Sequence, residues 1–233
     1  MGMRRGAENK SNAMSILEAI IFDLDGVIVD SHPAHQNAWK AFFRSLGMEI
    51  PEDEMPFIRE GQKREDILRH FLGDLTPEQV QCYGAQKAAL FKSSTLVLKT
   101  INGLPGFMAQ VEAAGLAIAL GSSASRSRVE ETLNQLNLKR YFRVIVTGDD
   151  VAQGKPDPAI FLQAARGLGV APENILVCED AVAGVKAAKA AGMKCLAIAA
   201  NGRDHLLEKA GAGKVAQDFV SVRLDDLYRL FES

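Results

Sequence analysis

At 233 residues, 47% hydrophobic and 24% charged, the chain is long and apolar enough to bury a sizeable core, as one large domain or as a core with a smaller insert. A formal net charge of −2 gives no basic footprint for nucleic acid, so an anionic small molecule has to be held by local groups. The same composition excludes a wholly disordered chain and a membrane-embedded one.

Arg4 and Arg5 are not followed by an uninterrupted apolar stretch, because Glu18 breaks the candidate, and Gly6 stands where a myristoylated chain carries Ser or Thr. A cytoplasmic protein is therefore expected. Ser11-Asn12-Ala13 before Met14 reads as a tag scar, which sets residues 1–13 aside as a leader. Ala19-Ile20-Ile21-Phe22 is short and β-branched, as in a buried strand, and Asp23-Leu24-Asp25-Gly26 occupies its mouth. From Ser31 to Thr100 no comparable run occurs. Helices are predicted around Ala34 to Leu46, Arg64 to Leu72 and Pro77 to Lys92, with Pro51, Pro56, Gly61 and Gly73 between them. From Gly103 onward, apolar runs at Leu116 to Leu120, Val144 to Val146, Ile175 to Cys178 and Cys195 to Ala199 alternate with helical segments. Arg126 to Leu136 is one of these, with Val129, Leu133 and Leu136 at helical spacing. Asp157 and Pro158 mark a helix start, and Gly115, Gly169 and Gly192 mark helix ends. This is a doubly wound α/β sheet, parallel and covered on both faces, with a helical insert after its first strand. Residues 14–30 and 101–233 form the core and 31–100 the insert. Cys82, Cys178 and Cys195 are odd in number and lack metal-type spacing, so they are expected to be reduced and buried.

The polar residues at the strand ends carry the chemistry. Asp23 and Asp25 follow the first strand, Ser122 the second, and Glu179 with Asp180 the Ile175 to Cys178 run, while Lys155 arrives from the loop after Val144 to Val146. In a parallel sheet these ends share one edge, and ligands bind in the crevice there. Clustered carboxylates repel unless a cation offsets them, and oxygen donors without histidine or cysteine select a hard ion such as Mg²⁺. Lys155, the Ser122 hydroxyl and loop N–H groups would hold the remaining oxygens of a phosphoryl group.

Four segments, Asp23-Leu24-Asp25-Gly26-Val27-Ile28-Val29-Asp30-Ser31, Gly121-Ser122-Ser123, Gly154-Lys155-Pro156-Asp157-Pro158 and Cys178-Glu179-Asp180-Ala181-Val182-Ala183-Gly184, resemble in order the motifs of the haloacid dehalogenase superfamily. The likeness runs from about Met14 to the C-terminus. It is nearest to the β-phosphoglucomutase-like and sugar-phosphatase branch, whose helical cap is inserted after the first strand. The resemblance implies a Rossmann-like core and an aspartyl-phosphate formed on Asp23, with Asp25 as general acid and base. It also implies Mg²⁺ on the Asp23 carboxylate, the Asp25 carbonyl and Asp180, with Glu179 ligating directly or through water. His35 resembles the hinge histidine that contacts the general acid. Arg64 matches the cap arginine that holds a distal phosphate, Lys87 and Arg126 are further candidates for that role, and Ser123 joins the substrate contacts. Lys63 and Arg126 depart from the mutase pattern, standing where serine and asparagine are usual.

Gly148 to Lys155 ends in Gly-Lys but fails as a P-loop, having one residue too many and Pro156 where Ser or Thr binds the metal. Gly211 to Ala216 fits G-x-G-x-x-A yet does not follow the first strand. His32 and His35 at helical spacing read as a helix start more than as a metal pair, and Trp39 as core packing with Phe42 and Phe43. The expectation is a Mg²⁺-dependent phosphatase for a small phosphorylated metabolite, a sugar phosphate foremost, working as a monomer without nucleic-acid or membrane partners. A phosphomutase is the alternative, and a non-enzymatic phospho-receiver module the second.

Overall fold

A computed structural model describes residues 16–59, 62–93, 98–199 and 204–232, so the leader expected over residues 1–13 and Gly61 lie outside the described residues. Strand β1 (Ala19–Phe22) is buried throughout, its side chains alternating between the two faces of a sheet. The chain then turns sharply. Gly26 takes φ +72°, a conformation that disfavours a side chain, and its N–H donates to the Val29 carbonyl at 2.8 Å.

Four helices follow, α1 (His32–Ser45), α2 (Met55–Arg59), α3 (Arg64–Leu72) and α4 (Pro77–Ser93). Helix α2 was not foreseen, since five residues between loops are too few to display a helical period. Trp39, Phe42 and Phe43 of α1 meet Met55 and Ile58 of α2 and Ile67 and Leu68 of α3 in an apolar cluster of their own. The chain leaves and re-enters the sheet side by side. Asp30 N–H donates to the Lys99 carbonyl and Ile101 N–H to the Ile28 carbonyl, both at 3.0 Å.

The remainder runs α5 (Leu104–Ala113), β2 (Ala117–Gly121), α6 (Arg126–Gln135), β3 (Val144–Val146), α7 (Ala159–Leu168), β4 (Ile175–Glu179) and α8 (Val182–Ala190). It closes with β5 (Lys194–Ile198), α9 (Asp204–Ala210), β6 (Lys214–Ala216) and α10 (Leu224–Tyr228). Asp157 accepts the Ala159 N–H at the start of α7, and Gly169 ends that helix in the left-handed conformation. Strand β6 is an addition to the expected set, a three-residue edge strand without a fully buried position.

The six strands pair in the order β3-β2-β1-β4-β5-β6, every pair parallel. Ile20 and Phe22 face the Phe107, Val111, Val129 and Leu133 side chains of α5 and α6, with Phe219 and Leu227 beyond. Ala19 and Ile21 face Phe161 and Ala164 of α7, Val185 and Ala188 of α8 and Leu207 of α9. The fold is therefore the expected doubly wound α/β sheet with helices inserted after the first strand. After β1 the chain builds outward to β2 and β3, then returns to place β4 on the other side. That reversal opens a crevice at the carboxyl ends of β1 and β4. Cys178 and Cys195 are buried as expected, whereas Cys82 sits on the exposed side of α4, where nothing in the sheet pattern covers it.

Candidate active site

Asp23 follows β1 directly, and its backbone N–H donates to the Cys178 carbonyl at 3.0 Å, which fixes it against β4. Its Oδ1 accepts from Lys155 Nζ at 2.6 Å and its Oδ2 from the Asp25 backbone N–H at 2.9 Å. Lys155 is only 2% exposed and also donates to Glu179 Oε1 at 2.6 Å. The second Glu179 oxygen accepts the backbone N–H groups of Asp180 and Ala181 at 2.7 and 2.8 Å. Glu179 is thus committed to Lys155 and to its own loop. A Cβ on Gly184 would strike this carboxylate, so the helix that follows has a glycine where it passes closest.

Burial raises Asp23 to about 8, with Lys155 opposing and Glu179 and Asp25 adding repulsion. For Lys155 burial alone acts downward, but Asp23 and Glu179 outweigh it and hold the ammonium above the usual lysine range.

Asp25 lies two residues on, on the insert side of the crevice. Its Oδ2 accepts from Arg128 Nη1 at 2.9 Å, and its Oδ1 accepts from Arg128 Nη2 and from the Ser31 hydroxyl. His35 Nε2 stands 3.5 Å from Oδ1. Burial alone acts upward on Asp25, yet Arg128 first, then His35 and Ser31, hold it well below the usual carboxylate range. Lys87 Nζ donates to His35 Nδ1 at 2.6 Å and lies over the Trp39 and Phe91 rings. Burial, reinforced by Arg128, lowers His35 to about 3 and Lys87 to about 7.

A cleft of about 130 Å³ opens between the strand ends and helices α1, α3 and α4. Of the residues expected from the sequence, Asp23, Asp25, Ser122, Ser123, Asp180, His35, Arg64 and Lys87 all line it. Lys155 and Glu179 form a second layer behind Asp23. Arg126 is not brought to the cleft: its guanidinium pairs with Asp150 at 2.6 Å and its backbone N–H donates to Asp149. The arginine that reaches Asp25 is Arg128, two residues along α6, and no motif singles it out. Either arginine could flank the Val129 and Leu133 stripe, and only the packing of α6 beside β1 decides which one meets Asp25. Gly84 in α4 gives Arg64 its place, because a Cβ there would lie 2.6 Å from Arg64 Nε. Lys63 instead spans to the loop that carries Lys155, donating to the Val151 carbonyl at 2.7 Å.

The donor set suits a hard cation. The Asp23 and Asp180 carboxylates face one cleft, and Gly26 leaves a hollow in which a Cβ would collide with Asp180 and with His32. His32 Nε2 holds Asp180 Oδ2 at 2.6 Å. Among the described residues no three His, Cys, Asp or Glu side chains are gathered as a ready-made metal cluster. Backbone carbonyls and substrate oxygens would have to complete the sphere, as Mg²⁺ accepts. No helix among the described residues is long and apolar enough to cross a membrane.

The sequence signature of haloacid dehalogenase-like hydrolases matches residues 20–198. A phosphorylated carbohydrates phosphatase of Thermotoga maritima is 33% identical over 190 residues, 76% of this chain and 83% of that protein. A β-phosphoglucomutase from Clostridium difficile superposes with a TM-score of 0.81 at 26% identity, covering 93% of this chain and 97% of that one. A variant of CbbY from Rhodobacter sphaeroides, solved in complex with xylulose-(1,5)bisphosphate, superposes with a TM-score of 0.77 at 27% identity over 88% and 96% of the two chains.

Proposed function

This chain belongs to the haloacid dehalogenase-like hydrolases, and from that membership and the geometry of the cleft we propose that it is a phosphatase for a small phosphorylated metabolite, foremost a sugar phosphate. The observation that carries the proposal is the Asp23 carboxylate at the switch point of the sheet, paired with Lys155 at 2.6 Å and sharing the cleft with Asp180. Asp23 is the nucleophile. Its attack on phosphorus displaces the alkoxide and leaves an aspartyl-phosphate, which water then hydrolyses. Asp25 protonates the leaving oxygen and afterwards takes the proton of the attacking water. Lys155 keeps a positive charge against the phosphoryl oxygens, and the Ser122 hydroxyl and the N–H groups of its loop donate to them. Mg²⁺, held by the Asp23 and Asp180 carboxylates and the Asp25 carbonyl, would supply further charge neutralisation, with Glu179 acting on it from behind through Lys155 and the loop.

In this proposal residues 14–30 and 101–233 form the catalytic core and 31–100 a cap, and Arg64, His35, Lys87 and Ser123 meet the part of the substrate beyond the transferred group. The cap residues also support a second reading. His35 and Lys87 lie beside Asp25, and the fold is like that of a β-phosphoglucomutase, so a sugar hydroxyl rather than water could take the phosphoryl group. The proposed setting is cytoplasmic and the proposed state a monomer.

The test is release of inorganic phosphate from a panel of sugar phosphates with Mg²⁺, beside isomerisation of β-glucose 1-phosphate. Phosphate release that Asp23→Asn lowers by about 10³ or more is the expected result, because the substitution removes the nucleophile and keeps its shape. Full activity in that variant refutes the mechanism, and isomerisation without phosphate release selects the mutase.

A further inference from the structure

His32 is a side chain of the insert that reaches a carboxylate of the candidate cation site, and the proposed mechanism gives it no part. It is the first residue of α1, and Pro33 after it fixes the backbone in the opening turn of that helix. Its Nε2 donates to Asp180 Oδ2 at 2.6 Å, with the two side chains 23% and 10% exposed. Gly26 makes room for the pair, since a Cβ there would collide with both partners. Asp180 is anchored from the core by its backbone N–H, which donates to Glu179 Oε2 at 2.7 Å. That bond places the residue at the end of β4, and the imidazole from the insert fixes how its carboxylate is turned. A ring nitrogen whose N–H is donated has no lone pair to offer a cation. His32 Nε2 is therefore a partner of Asp180 and not a ligand, in keeping with the lack of a ready-made three-residue metal cluster among the described residues.

We propose that His32 is a positioning residue for Asp180: by donating to Oδ2 it holds the carboxylate in one orientation, and so sets the affinity of the site for a divalent ion from the insert side. The inference rests on the reading of Asp23 and Asp180 as the carboxylates that hold the cation. A ligating carboxylate that is already held spares the ion the cost of ordering it, and loss of such an outer partner weakens metal binding by about 10- to 100-fold. Because the imidazole gives the ion no donor atom, it strengthens binding of Mg²⁺ and Mn²⁺ by the same factor. A nitrogen ligand would instead favour the transition metal.

The experiment titrates the metal-free full chain with Mn²⁺, followed by the paramagnetic resonance signal of the free ion, and with Mg²⁺ in competition. Wild type, His32→Leu, His32→Gln and Asp180→Asn are compared. His32→Leu, which fills the space without a donor, should raise Kd for both ions about tenfold or more. His32→Gln, whose amide nitrogen lies as many bonds from Cβ as Nε2 does, should recover most of that loss, which a packing role alone does not explain. If His32→Leu binds both ions as tightly as wild type, or if the glutamine variant is as weak as the leucine one, His32 does not act through this hydrogen bond and the inference is overturned. A loss much larger for Mn²⁺ than for Mg²⁺ overturns it as well, because it makes His32 a ligand. If Asp180→Asn leaves both affinities unchanged, the reading of the cation site fails first, and the two failures are told apart.

Discussion

Gly84→Ala perturbs recognition and stability in opposite directions. Gly84 lies inside α4, and alanine in a helix interior is favoured over glycine by about 1 kcal/mol. The nearest atoms to an added Cβ are Nε, Cζ and Cδ of Arg64, at 2.6, 2.8 and 3.1 Å, all towards the far end of a flexible side chain. The helix therefore keeps its gain while Arg64 is pushed from its place at the cleft. A melting temperature unchanged or raised by about 2–4 °C is expected for a chain of this size. If Arg64 forks a distal phosphate, losing that contact forfeits about 1.5–3 kcal/mol, or roughly 10- to 150-fold in kcat/KM. The loss should appear with a sugar bisphosphate and be nearly absent with p-nitrophenyl phosphate, which offers Arg64 nothing. The assay is steady-state phosphate release on both substrates beside a thermal melt. Equal losses on the two substrates would refute the role of Arg64, and a melting temperature several degrees lower would refute the packing argument.

Lys155→Met should destabilise the fold by about 3–5 kcal/mol, because it strands Asp23 and Glu179 without their shared cation; a loss under about 1 kcal/mol in urea unfolding would show that the pair is not held as described. Lys87 sets a pH dependence of stability. Its ammonium is lowered by burial from 10.5 to about 7, so between those values the unfolded chain carries a proton there that the folded chain has lost, and stability rises with pH across that window. Relative to Lys87→Met the wild type should gain at most about 1.4 kcal/mol per pH unit from pH 7 upward, and urea melts showing a constant difference at pH 7, 8 and 9 would contradict this.

Much of this was legible in the sequence, for physical reasons that differ by element. Strands β1, β2, β4 and β5 are buried on both faces, so they read as apolar runs, and polar residues stand where β1, β2 and β4 end. Asp23, Ser122 and Asp180 could be placed together because parallel strands align their carboxyl ends. Lys155 was found as a residue but not as a partner of Glu179, since a loop's path does not follow from periodicity. Strand β6 and helix α2 escaped notice because three half-covered residues and a five-residue helix carry too little pattern. Arg126 and Arg128 illustrate the limit most clearly. Two arginines two positions apart on one helix differ in destination by the rotation of that helix alone, and packing sets the rotation.

Because the segment from residue 31 to residue 98 departs and returns through backbone bonds between Asp30 and Lys99 and between Ile28 and Ile101, its two ends are already fastened to each other. Replacing it with another helical unit, or shortening it, imposes almost no new ring-closing penalty on the sheet beneath. If the core carries the phosphoryl chemistry and the insert the choice of molecule, as proposed, the two can diverge independently, as interchangeable heads on a common handle.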